Sequence, residues 1–441
     1  MGYGSTGKLL NIDLTNSSIH IEEIGEELYR LYPGGKALAA YLLLKNTTPN
    51  VDPLGPDNLL VFAAGLLTGA PFSTASRFTV AARSPLSGSY GESEAGGFWG
   101  PELKMAGFEA ILVKGKAKSP VYLWVNNGKT EIRDAQHLWG RDPDQVQEIV
   151  RQELGDKLIR VLQIGLGGEN KVRYAGLSHE MRHYNGRCGM GAVMGSKNLK
   201  AIAVRGKGRY LDLANDAQQL TELGKTLAKK VKEHPLSWDL QVKGTPGLTE
   251  GINAAGMLPT CNFREGSFDG ANLLSWGAYE KDLFKGRGSC YACAVRCKRE
   301  VSISACYDVG GKYGGPEYEA VAGFGSNCGV DDLSAMAKAN ELCNRYVLDT
   351  ISTSSSIAFA MECFEKGVIT KEQTGGLELK FGDADAMLKA LEMLVRGEGD
   401  FGRTLGMGSE RAAQKWGNGA EEYLTTVKGA ESPAHMPQAK R

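Results

Sequence analysis

The sequence predicts an α+β protein in which a β-rich N-terminal domain, residues 1–208, is followed by a mainly α-helical domain, residues 209–441. Up to residue 208 the chain contains many short apolar segments of strand length, separated by glycine-rich turns. Beyond residue 208 the apolar residues recur at helical spacing over longer stretches. A chain of 441 residues also exceeds the size of one ordinary hydrophobic core, so at least two domains are expected.

The β-rich half begins with a predicted hairpin. Lys8–Asp13 and Ile19–Glu22 alternate apolar and polar residues on either side of a turn through Asn16–Ser18. Two short helices, Glu26–Leu31 and Lys36–Leu44, are expected next. The remaining strand predictions are short apolar stretches bounded by turns: Asn58–Ala64, Thr79–Arg83, Ile111–Lys114, Val121–Val125, Glu131–Arg133, Ile159–Ile164 and Ala201–Arg205.

Helices are predicted once more in the first half and repeatedly in the second. Asp142 is placed to cap a helix over Gln145–Leu154, whose apolar residues have helical spacing. The later helix predictions are Ala214–His234, Glu319–Phe324, Asp331–Leu348, Ser354–Lys366, Ala384–Arg396 and Phe401–Trp416. The last segment, Ser432–Arg441, is expected to be a loop.

Composition excludes several classes of protein. The chain has 51 basic and 51 acidic residues, so nothing favours nucleic acid or an anionic membrane as a partner. No apolar run reaches transmembrane length, and the N-terminus lacks the apolar core of a signal peptide. Nine cysteines in such a chain indicate reduced thiols and metal ligands rather than disulfides. We therefore expect a soluble, cytoplasmic protein.

Cys290, Cys293 and Cys297 form a C-x2-C-x3-C array that is followed directly by two basic residues. A four-cysteine iron–sulfur cluster commonly takes three ligands from one short run and the fourth from a distant one. Zinc sites usually combine two C-x2-C pairs, and the sequence contains no second pair. The array favours an iron–sulfur cluster, with a zinc site and plain buried thiols as the alternatives.

Glycine is abundant, with 58 in 441 residues, and three polar, glycine-rich segments lie in the β-rich half. They are residues 65–77, 88–100 and 181–197. The backbone N–H groups of such segments, with Arg77, Arg182 and Arg187 beside them, suit a large phosphate-bearing or heteroaromatic cofactor. Ordinary tight turns of a β domain are the alternative. Neither a G-x-G-x-x-G between strand and helix nor a G-x4-G-K-[ST] occurs, so nicotinamide and P-loop nucleotide binding are disfavoured.

Several stretches resemble the signature of tungsten-dependent aldehyde:ferredoxin oxidoreductases. They are Gly189–Val204, Ala64–Gly69, Gly96–Lys104 and Gly314–Glu319. The cysteine array is similar to the cluster motif of that family, and the resemblance runs from about residue 5 to the end of the chain. It implies that the β domain forms a saddle for a bis-pterin tungsten, or sometimes molybdenum, cofactor. It also implies that helical domains complete the active site and that a 4Fe-4S cluster lies beside one pterin.

The resemblance implies roles for individual residues. The positions that match cofactor contacts of the family are Arg77, Gly96, Arg182, His183 and Asp349 for the pterins and Cys290, Cys293 and Cys297 for the cluster. Glu317 matches a catalytic carboxylate, and a buried glutamate with a raised pKa would take up the proton released in the reaction. A solvated carboxylate before a helix is the alternative for Glu317, and Glu319 is its competitor. Lys298 and Arg299 are expected to raise the potential of the cluster through their positive charge.

The implied reaction converts R-CHO and water to R-COOH, two protons and two electrons. The electrons would leave through the cluster to ferredoxin or another iron–sulfur carrier. A relative that uses the same cofactor on another substrate, such as a benzoyl-CoA reductase-like or hydroxycarboxylate oxidoreductase, is the alternative among enzymes. A non-catalytic fragment or a simple iron–sulfur carrier is the alternative from another class. A homodimer or a complementing subunit is compatible with either class.

The chain also departs from the family pattern. The family's subunit-bridging iron site uses E-x-x-H, whereas the matching stretch here is Lys338–Glu341, so a bridging iron is not expected. The family's D-x-x-G-L-[CD] pterin motif corresponds to Asn344–Asp349, which loses the first carboxylate. A third domain with the fourth cluster cysteine is expected to be missing; Cys306 is the nearest remaining cysteine, and a buried structural thiol is expected there. Histidines other than His183 are expected to be solvated or structural.

Overall fold

The computed structural model describes residues 4–435, which separate into two compact units. The first unit runs to Lys171 and also includes Ala175–Trp238 and Ser289–Arg296. The second unit comprises Val172–Tyr174, Asp239–Gly288 and the chain from Cys297 onward. The first contains two large sheets and the second is mostly helical, which confirms the predicted α+β class.

Two six-stranded sheets form the first unit. The strands of one sheet are β1 (Lys8–Asp13), β2 (Ser18–Glu23), β3 (Leu60–Ala64), β4 (Phe78–Arg83), β5 (Tyr90–Ala95) and β6 (Ala110–Lys114), in the order β2-β1-β6-β3-β4-β5. The strands of the other are β7 (Val121–Asn126), β8 (Lys129–Asp134), β9 (Arg160–Gln163), β10 (Leu177–His179), β11 (His183–Asn185) and β12 (Leu199–Arg205), in the order β11-β10-β9-β12-β7-β8. β1 and β6 pair in parallel, and so do β7 and β12, whereas the other neighbours are antiparallel.

Alternation of side chains along the strands places the main core between the two sheets. Val113 of β6 shares one buried cluster with Val125 of β7 and Val204 of β12. Successive side chains of a strand point to opposite faces of the sheet. The apolar side chains on the outer face of each sheet are buried by helices. The helices of the first unit are α1 (Glu26–Leu31), α2 (Gly35–Asn46), α3 (Trp99–Met105), α4 (Pro143–Glu153), α5 (Leu166–Glu169), α6 (Met190–Ser196) and α7 (Ala217–Lys230). α1 and α2 cover the first sheet, and α4 covers the second.

The structure confirms the predicted start of one helix and shortens another predicted helix. Asp142 caps α4 through a capping box with Gln145, as its position predicts. The predicted long helix Ala214–His234 is shorter, because α7 ends at Lys230 and a new helix begins at Pro235. Proline lacks a backbone N–H and clashes with a preceding helical turn, so it favours a break there.

The second unit is built from helices with two small hairpins. Its helices are α8 (Pro235–Lys243, which starts in the first unit), α9 (Thr249–Ala254), α10 (Trp276–Ala278), α11 (Tyr318–Phe324), α12 (Leu333–Tyr346), α13 (Thr350–Glu365), α14 (Ala384–Arg396), α15 (Gly399–Leu405) and α16 (Ser409–Trp416). Its strands are β13 (Phe284–Gly288), β14 (Lys298–Val301), β15 (Thr426–Val427) and β16 (Ala430–Glu431). The predicted helix Phe401–Trp416 is divided into α15 and α16, because Gly408 has a φ of +93° that ends the helical path.

Two further sequence expectations concern the ends of the chain and the membrane. The predicted C-terminal loop is described as far as His435, and residues 436–441 lie outside the described residues. Among residues 4–435, no helix combines the length and the apolarity needed to cross a membrane.

Candidate functional site

The segment with the first two cysteines of the array, Ser289–Arg296, packs as part of the first unit. The backbone N–H of Tyr291 donates a hydrogen bond to the carbonyl oxygen of Gly97 at 3.1 Å. The N–H of Ala294 donates to Oγ of Ser73 at 3.0 Å. These two bonds hold Cys290 and Cys293 against the glycine-rich segments 65–77 and 88–100.

The backbone after β5 approaches the cysteine segment so closely that it requires glycine. A Cβ on Gly96 would lie 2.8 Å from Sγ of Cys290. A Cβ on Gly97, whose φ is +91°, would lie 2.2 Å from Cε1 of His179 and 2.8 Å from the ring of His183. The predicted cofactor residue Gly96 therefore lies directly beside a predicted cluster ligand, and this contact leaves no room for a side chain.

Two buried histidines, His179 and His183, pack against Gly97. His179 is fully buried and its ring stacks on that of His183, with the ring centroids 5.2 Å apart. Nδ1 of His179 lies 2.7 Å from a carboxylate oxygen of Glu180, which also forms an ion pair with Arg160 at 3.2 Å. Burial alone would raise the pKa of Glu180, but His179 and Arg160 outweigh it and lower that pKa. His183 is the closer of the two to the array, since its Nδ1 lies 3.9 Å from Sγ of Cys290.

The third glycine-rich segment, residues 181–197, joins the same region. The side-chain amide of Asn185 donates to the carbonyl of Ser93 at 2.9 Å, and the N–H of Arg187 donates to Oγ of Ser93 at 3.2 Å. The structure thus brings together the three glycine-rich segments predicted to hold a cofactor and the first part of the cysteine array. Segments 88–100 and 181–197 are only partly loops, because they include β5, β11, α6 and the start of α3.

The two predicted cofactor arginines take different positions around this region. Arg77 is exposed at the end of segment 65–77, and its carbonyl oxygen accepts a hydrogen bond from the hydroxyl of Thr68. Arg182 is half-buried in the turn between β10 and β11. Gly96 and His183 are therefore in direct contact with the cysteine segment, whereas Arg77 and Arg182 lie on the segments that surround it.

A buried ion pair that sequence reasoning missed supports the first glycine-rich segment. Nζ of Lys104 lies 3.2 Å from a carboxylate oxygen of Glu109, and both side chains are buried. The same ammonium donates to the carbonyls of Gly65 and Leu66 at 2.9 and 3.1 Å, and the hydroxyl of Tyr29 donates to Glu109 at 2.7 Å. Burial lowers the pKa of Lys104, against the opposing effect of Glu109. The only signal in the sequence was the position of Lys104 at the end of the Gly96–Lys104 stretch.

In the second unit, Glu317 is held as a carboxylate. Nζ of Lys298 lies 2.7 Å from one carboxylate oxygen, and the hydroxyl of Thr245 donates to the other. Burial alone would raise the pKa of Glu317, but the charge of Lys298 and these two hydrogen bonds outweigh it and lower the pKa. The expectation of a raised pKa is therefore wrong, because the sequence did not reveal that Lys298 reaches the carboxylate.

Glu319 and Asp349 are engaged in structural contacts. Glu319 accepts a hydrogen bond from the N–H of Ala434 at 2.8 Å, so it binds the end of the described chain. Asp349 is buried at the start of α13, where it accepts bonds from the N–H of Ile351 at 3.1 Å and the hydroxyl of Ser352 at 2.8 Å. This N-cap role is sufficient to explain an aspartate at this position. The contact of Asp349 with a pterin stays a prediction.

Arg299 is buried behind the last cysteine of the array. Its guanidinium donates to the carbonyl of Cys297 at 3.2 Å and to that of Val242, at the end of α8, at 2.7 Å. A Cβ on Gly244 would lie 3.0 Å from both Nε of Arg299 and the Cys297 carbonyl. Arg299 therefore anchors the backbone of Cys297 to the second unit, and its effect on a cluster potential stays a prediction.

The other described cysteines differ in environment. Cys328, Cys343 and Cys363 are buried, and burial raises the pKa of each thiol, to about 12 for Cys363. Cys306 is exposed, so the expectation of a buried structural thiol there is wrong; it lies in a polar bend after β14. Among residues 4–435, no three His, Cys, Asp or Glu side chains are arranged to hold a single metal ion. A 4Fe-4S cluster places its thiolates on different irons, so its ligands need not converge on one point.

The residues present fit the cofactors that the resemblance implies. Hydrogen bonds from the backbone of Tyr291 and Ala294 fix the segment with Cys290 and Cys293 on the first unit. Arg299 binds the backbone carbonyl of Cys297. The glycine backbone at Gly96 contacts the thiol of Cys290 directly. A cluster bound through this thiol would therefore lie against the segment predicted to hold a pterin, which is the arrangement that electron transfer between them needs.

Comparison with known proteins places these features in a family. The model of the aldehyde ferredoxin oxidoreductase N-terminal domain matches residues 9–206, and that of aldehyde ferredoxin oxidoreductase domains 2 and 3 matches residues 222–441. The tungsten-containing aldehyde ferredoxin oxidoreductase of Pyrococcus furiosus is 38% identical over 99% of this chain and 71% of its own length. That of Thermococcus kodakarensis is 37% identical with the same coverage.

Less similar relatives are named for substrates other than aldehydes. The WOR-like subunit of the aliphatic sulfonate oxidoreductase of Pyrococcus furiosus is 32% identical over 98% of this chain and 71% of its own length. Among solved structures, the active-site complex BamBC of benzoyl coenzyme A reductase, in complex with 1,5-dienoyl-CoA, superimposes with a TM-score of 0.86. It is 30% identical, and the match covers 99% of this chain and 67% of that chain.

Proposed function

Because this chain belongs to the aldehyde ferredoxin oxidoreductase family, we propose that it oxidises an aldehyde to a carboxylate with a tungsten, or molybdenum, bis-pterin and a 4Fe-4S cluster. The balanced reaction takes R-CHO and water to R-COOH, two protons and two electrons. The electrons pass to ferredoxin or another iron–sulfur carrier. The observation that carries the proposal is the direct contact of Cys290 with Gly96, which unites the predicted cluster ligand with the predicted pterin segment.

The chain's two parts take separate roles in this proposal. We propose that residues 1–208 bind the metallopterin and that residues 209–441 carry the cysteine array, of which Ser289–Arg296 packs with the first unit, as α7 does. The residues proposed to bind the pterins are Arg77, Gly96, Arg182, His183 and Asp349, and those proposed to bind the cluster are Cys290, Cys293 and Cys297. When bound, the metallopterin accepts the electron pair of the oxidation and the cluster passes electrons onward one at a time.

Glu317 is the proposed general base. Against the effect of burial, its pKa is lowered by Lys298 and Thr245, so Glu317 is a carboxylate at neutral pH, although a weaker base than a free glutamate. As a carboxylate it can accept the proton that water loses as it adds to the carbonyl carbon of the aldehyde. Lys298, 2.7 Å away, stabilises the carboxylate and orients it, and the Thr245 hydroxyl fixes the second oxygen. The role differs from that of a protonated glutamate acting as an acid, since the carboxylate starts the cycle without a proton.

Turnover by the Glu317→Gln variant tests this assignment. The amide keeps the size and the hydrogen-bonding groups but cannot accept a proton, so aldehyde-dependent reduction of methyl viologen under anaerobic conditions should fall by about 100-fold or more. Glu319→Gln is the matched control, because Glu319 lies two residues away and binds Ala434 instead. Tungsten and iron contents equal to those of the unaltered chain are required of both variants. Equal turnover of Glu317→Gln and Glu319→Gln would remove Glu317 from the mechanism.

A second candidate is the same cofactor chemistry on another substrate. Two similarities favour it. The chain superimposes on the benzoyl coenzyme A reductase complex with a TM-score of 0.86 and 30% identity. It is also 32% identical to a subunit of the aliphatic sulfonate oxidoreductase. Steady-state assays with an aldehyde panel, a hydroxycarboxylate, benzoyl-CoA and an aliphatic sulfonate separate the candidates. Turnover confined to a substrate other than an aldehyde would replace the first proposal by the second.

We also propose a cellular location and an oligomeric state for the protein. A cytoplasmic protein is proposed because the cofactors and reduced thiols suit a reducing compartment. A homodimer or a complementing subunit is proposed as the working assembly. Analytical ultracentrifugation of the purified chain measures which of these holds, because a homodimer sediments at twice the monomer mass and a chain that needs a different subunit sediments as a monomer.

A further inference from the structure

The ring of His183 is held in one place beside the first cysteine of the array. His183 is 2% exposed, and its Nδ1 lies 3.9 Å from Sγ of Cys290. The ring stacks on that of His179, with the centroids 5.2 Å apart and the ring planes 26° apart. A Cβ on Gly97 would lie 2.8 Å from two atoms of the His183 ring, so the backbone closes a further side. The imidazole therefore has little room to turn away from the sulfur.

Two aromatic neighbours of His183 share one support. Nδ1 of His179 lies 2.7 Å from the carboxylate of Glu180, which pairs with Arg160 at 3.2 Å. The guanidinium of Arg160 also lies over the ring of Phe98, 4.6 Å from its centroid. Phe98 in turn meets the ring of His183 edge-on, with the centroids 6.3 Å apart. Arg160 therefore helps to fix both rings that flank His183.

The turn that carries Glu180 has an unusual backbone. Glu180 and Met181, between β10 and β11, both have positive φ, +50° and +52°. Two-residue turns of this kind are usually built from asparagine and glycine, which adopt positive φ more readily. Such strain persists where the surrounding structure requires it. Here the turn places the Glu180 carboxylate against His179.

Ligation of iron would settle the direction of the contact between His183 and Cys290. A cysteine that binds a cluster is a thiolate, which has no proton and can only accept a hydrogen bond. Nδ1 of His183 must then carry the proton and donate it to Sγ. Hydrogen bonds to an ionised acceptor are shorter and stronger than neutral ones. The 3.9 Å separation should therefore shorten when the thiolate forms.

We infer that His183 donates a hydrogen bond to the thiolate of Cys290 and so raises the reduction potential of the cluster that this thiolate binds. The inference rests on the proposed function, which supplies the cluster. Reduction adds negative charge to a cluster, so a donor to a ligand sulfur stabilises the reduced form more than the oxidised form. The donor and the thiolate belong to the same compact unit of the chain.

The midpoint potential of the cluster tests the inference without any substrate. It is measured on the full chain by titration with redox dyes, followed by electron paramagnetic resonance. His183→Leu removes the donor, so the ratio of reduced to oxidised cluster at a fixed potential should fall about tenfold, a shift of about 59 mV for a one-electron couple. His183→Asn is the rescue, because its amide N–H can take the place of Nδ1–H and should keep the potential close to that of the unaltered chain. Both replacements are uncharged, so the pair separates a hydrogen bond from a charge on the histidine.

Asn185→Leu is the matched control. Asn185 is buried two residues further along β11, so its side chain lies on the same face of the strand as that of His183. Its amide donates to the carbonyl of Ser93 at 2.9 Å and not to a cysteine. Loss of this polar group should leave the midpoint potential unchanged. An equal fall in His183→Leu and Asn185→Leu would overturn the inference, because the potential would then report a general loss of buried polarity.

A spectroscopic measurement on the unaltered chain does not depend on the folding of any variant. Isotopic labelling of histidine nitrogen should reveal a nitrogen coupling to the reduced cluster in pulsed electron paramagnetic resonance, since the hydrogen bond carries spin density from Sγ to Nδ1. Absence of that coupling, or a potential that His183→Leu leaves unchanged, would overturn the inference. Either result in a chain that oxidises aldehydes would leave the proposed function standing. A folded chain that binds no cluster would refute the proposed function, and the inference with it.

Discussion

Replacing Lys104 with methionine should lower the free energy of unfolding of the first unit by about 3–5 kcal/mol, the usual cost of breaking a buried ion pair by removing one partner. The side chains of Lys104 and Glu109 are 1% and 0% exposed, so water cannot solvate the carboxylate that is left behind. The carbonyl of Gly65 loses the ammonium 2.9 Å away but keeps a donor, the backbone N–H of Thr68 at 3.1 Å, so the loss falls mainly on the carboxylate of Glu109. The carbonyl of Leu66 keeps a donor, the hydroxyl of Tyr210 at 3.0 Å.

Urea unfolding, followed by tryptophan fluorescence and by circular dichroism, measures this loss. The double variant Lys104→Met/Glu109→Gln should recover at least half of it, because no buried charge then remains unpaired. Lys200→Met is the matched control, since Lys200 forms another buried ion pair with Glu169 in the same unit but contacts no residue of segment 65–77. Both single variants should lose similar stability, and only Lys104→Met should also lose tungsten. A loss below about 1 kcal/mol for Lys104→Met, or no recovery in the double variant, would refute the reasoning.

Three further outcomes are expected. Cys293→Ser should lower iron and sulfide content and the brown cluster absorption; an unchanged iron content would remove Cys293 from the ligands. Gly97→Ala should destabilise the first unit by about 2–4 kcal/mol in urea unfolding, because its Cβ would lie 2.2 Å from His179 at a φ of +91°; a loss within error would show that the ring moves aside. Because the pKa of Glu317 is lower in the folded protein than its ordinary value of 4.5, this carboxylate stabilises the fold at pH values above 4.5. That stabilisation is lost as the pH falls through the pKa of the folded state. Glu317→Gln should therefore flatten the acid limb of a stability profile between pH 2 and 6, and an identical limb would contradict the lowered pKa.

Local patterns were sufficient to predict most of the elements. Alternation predicted the β1–β2 hairpin, which pairs Leu10 with Ile21 in the structure, and Asp142 predicted the start of α4. The errors came where backbone chemistry overrides periodicity. α7 ends at Lys230, four residues before the predicted end at His234, and a new helix begins at Pro235. Gly408 separates α15 from α16 within the predicted helix Phe401–Trp416.

The sequence predicted which residues form the candidate site, but few of the contacts that hold them in place. The sequence indicated the cysteine array and the glycine-rich segments because unusual residue types stand close together in the chain. It could not reveal that Ser73 would bind Ala294 across 221 residues, or that Lys298 would neutralise Glu317. Such contacts depend on the tertiary fold, and the residue types involved are common at surfaces as well.

Elemental analysis of the anaerobically purified chain, together with electron paramagnetic resonance of the reduced protein, tests the central claim most directly. The account predicts about one tungsten or molybdenum and about four irons per chain, with the signal of a reduced 4Fe-4S cluster. Folded protein that lacks tungsten and molybdenum but retains iron would describe an iron–sulfur carrier instead. Folded protein that lacks both metals after reconstitution would contradict the account.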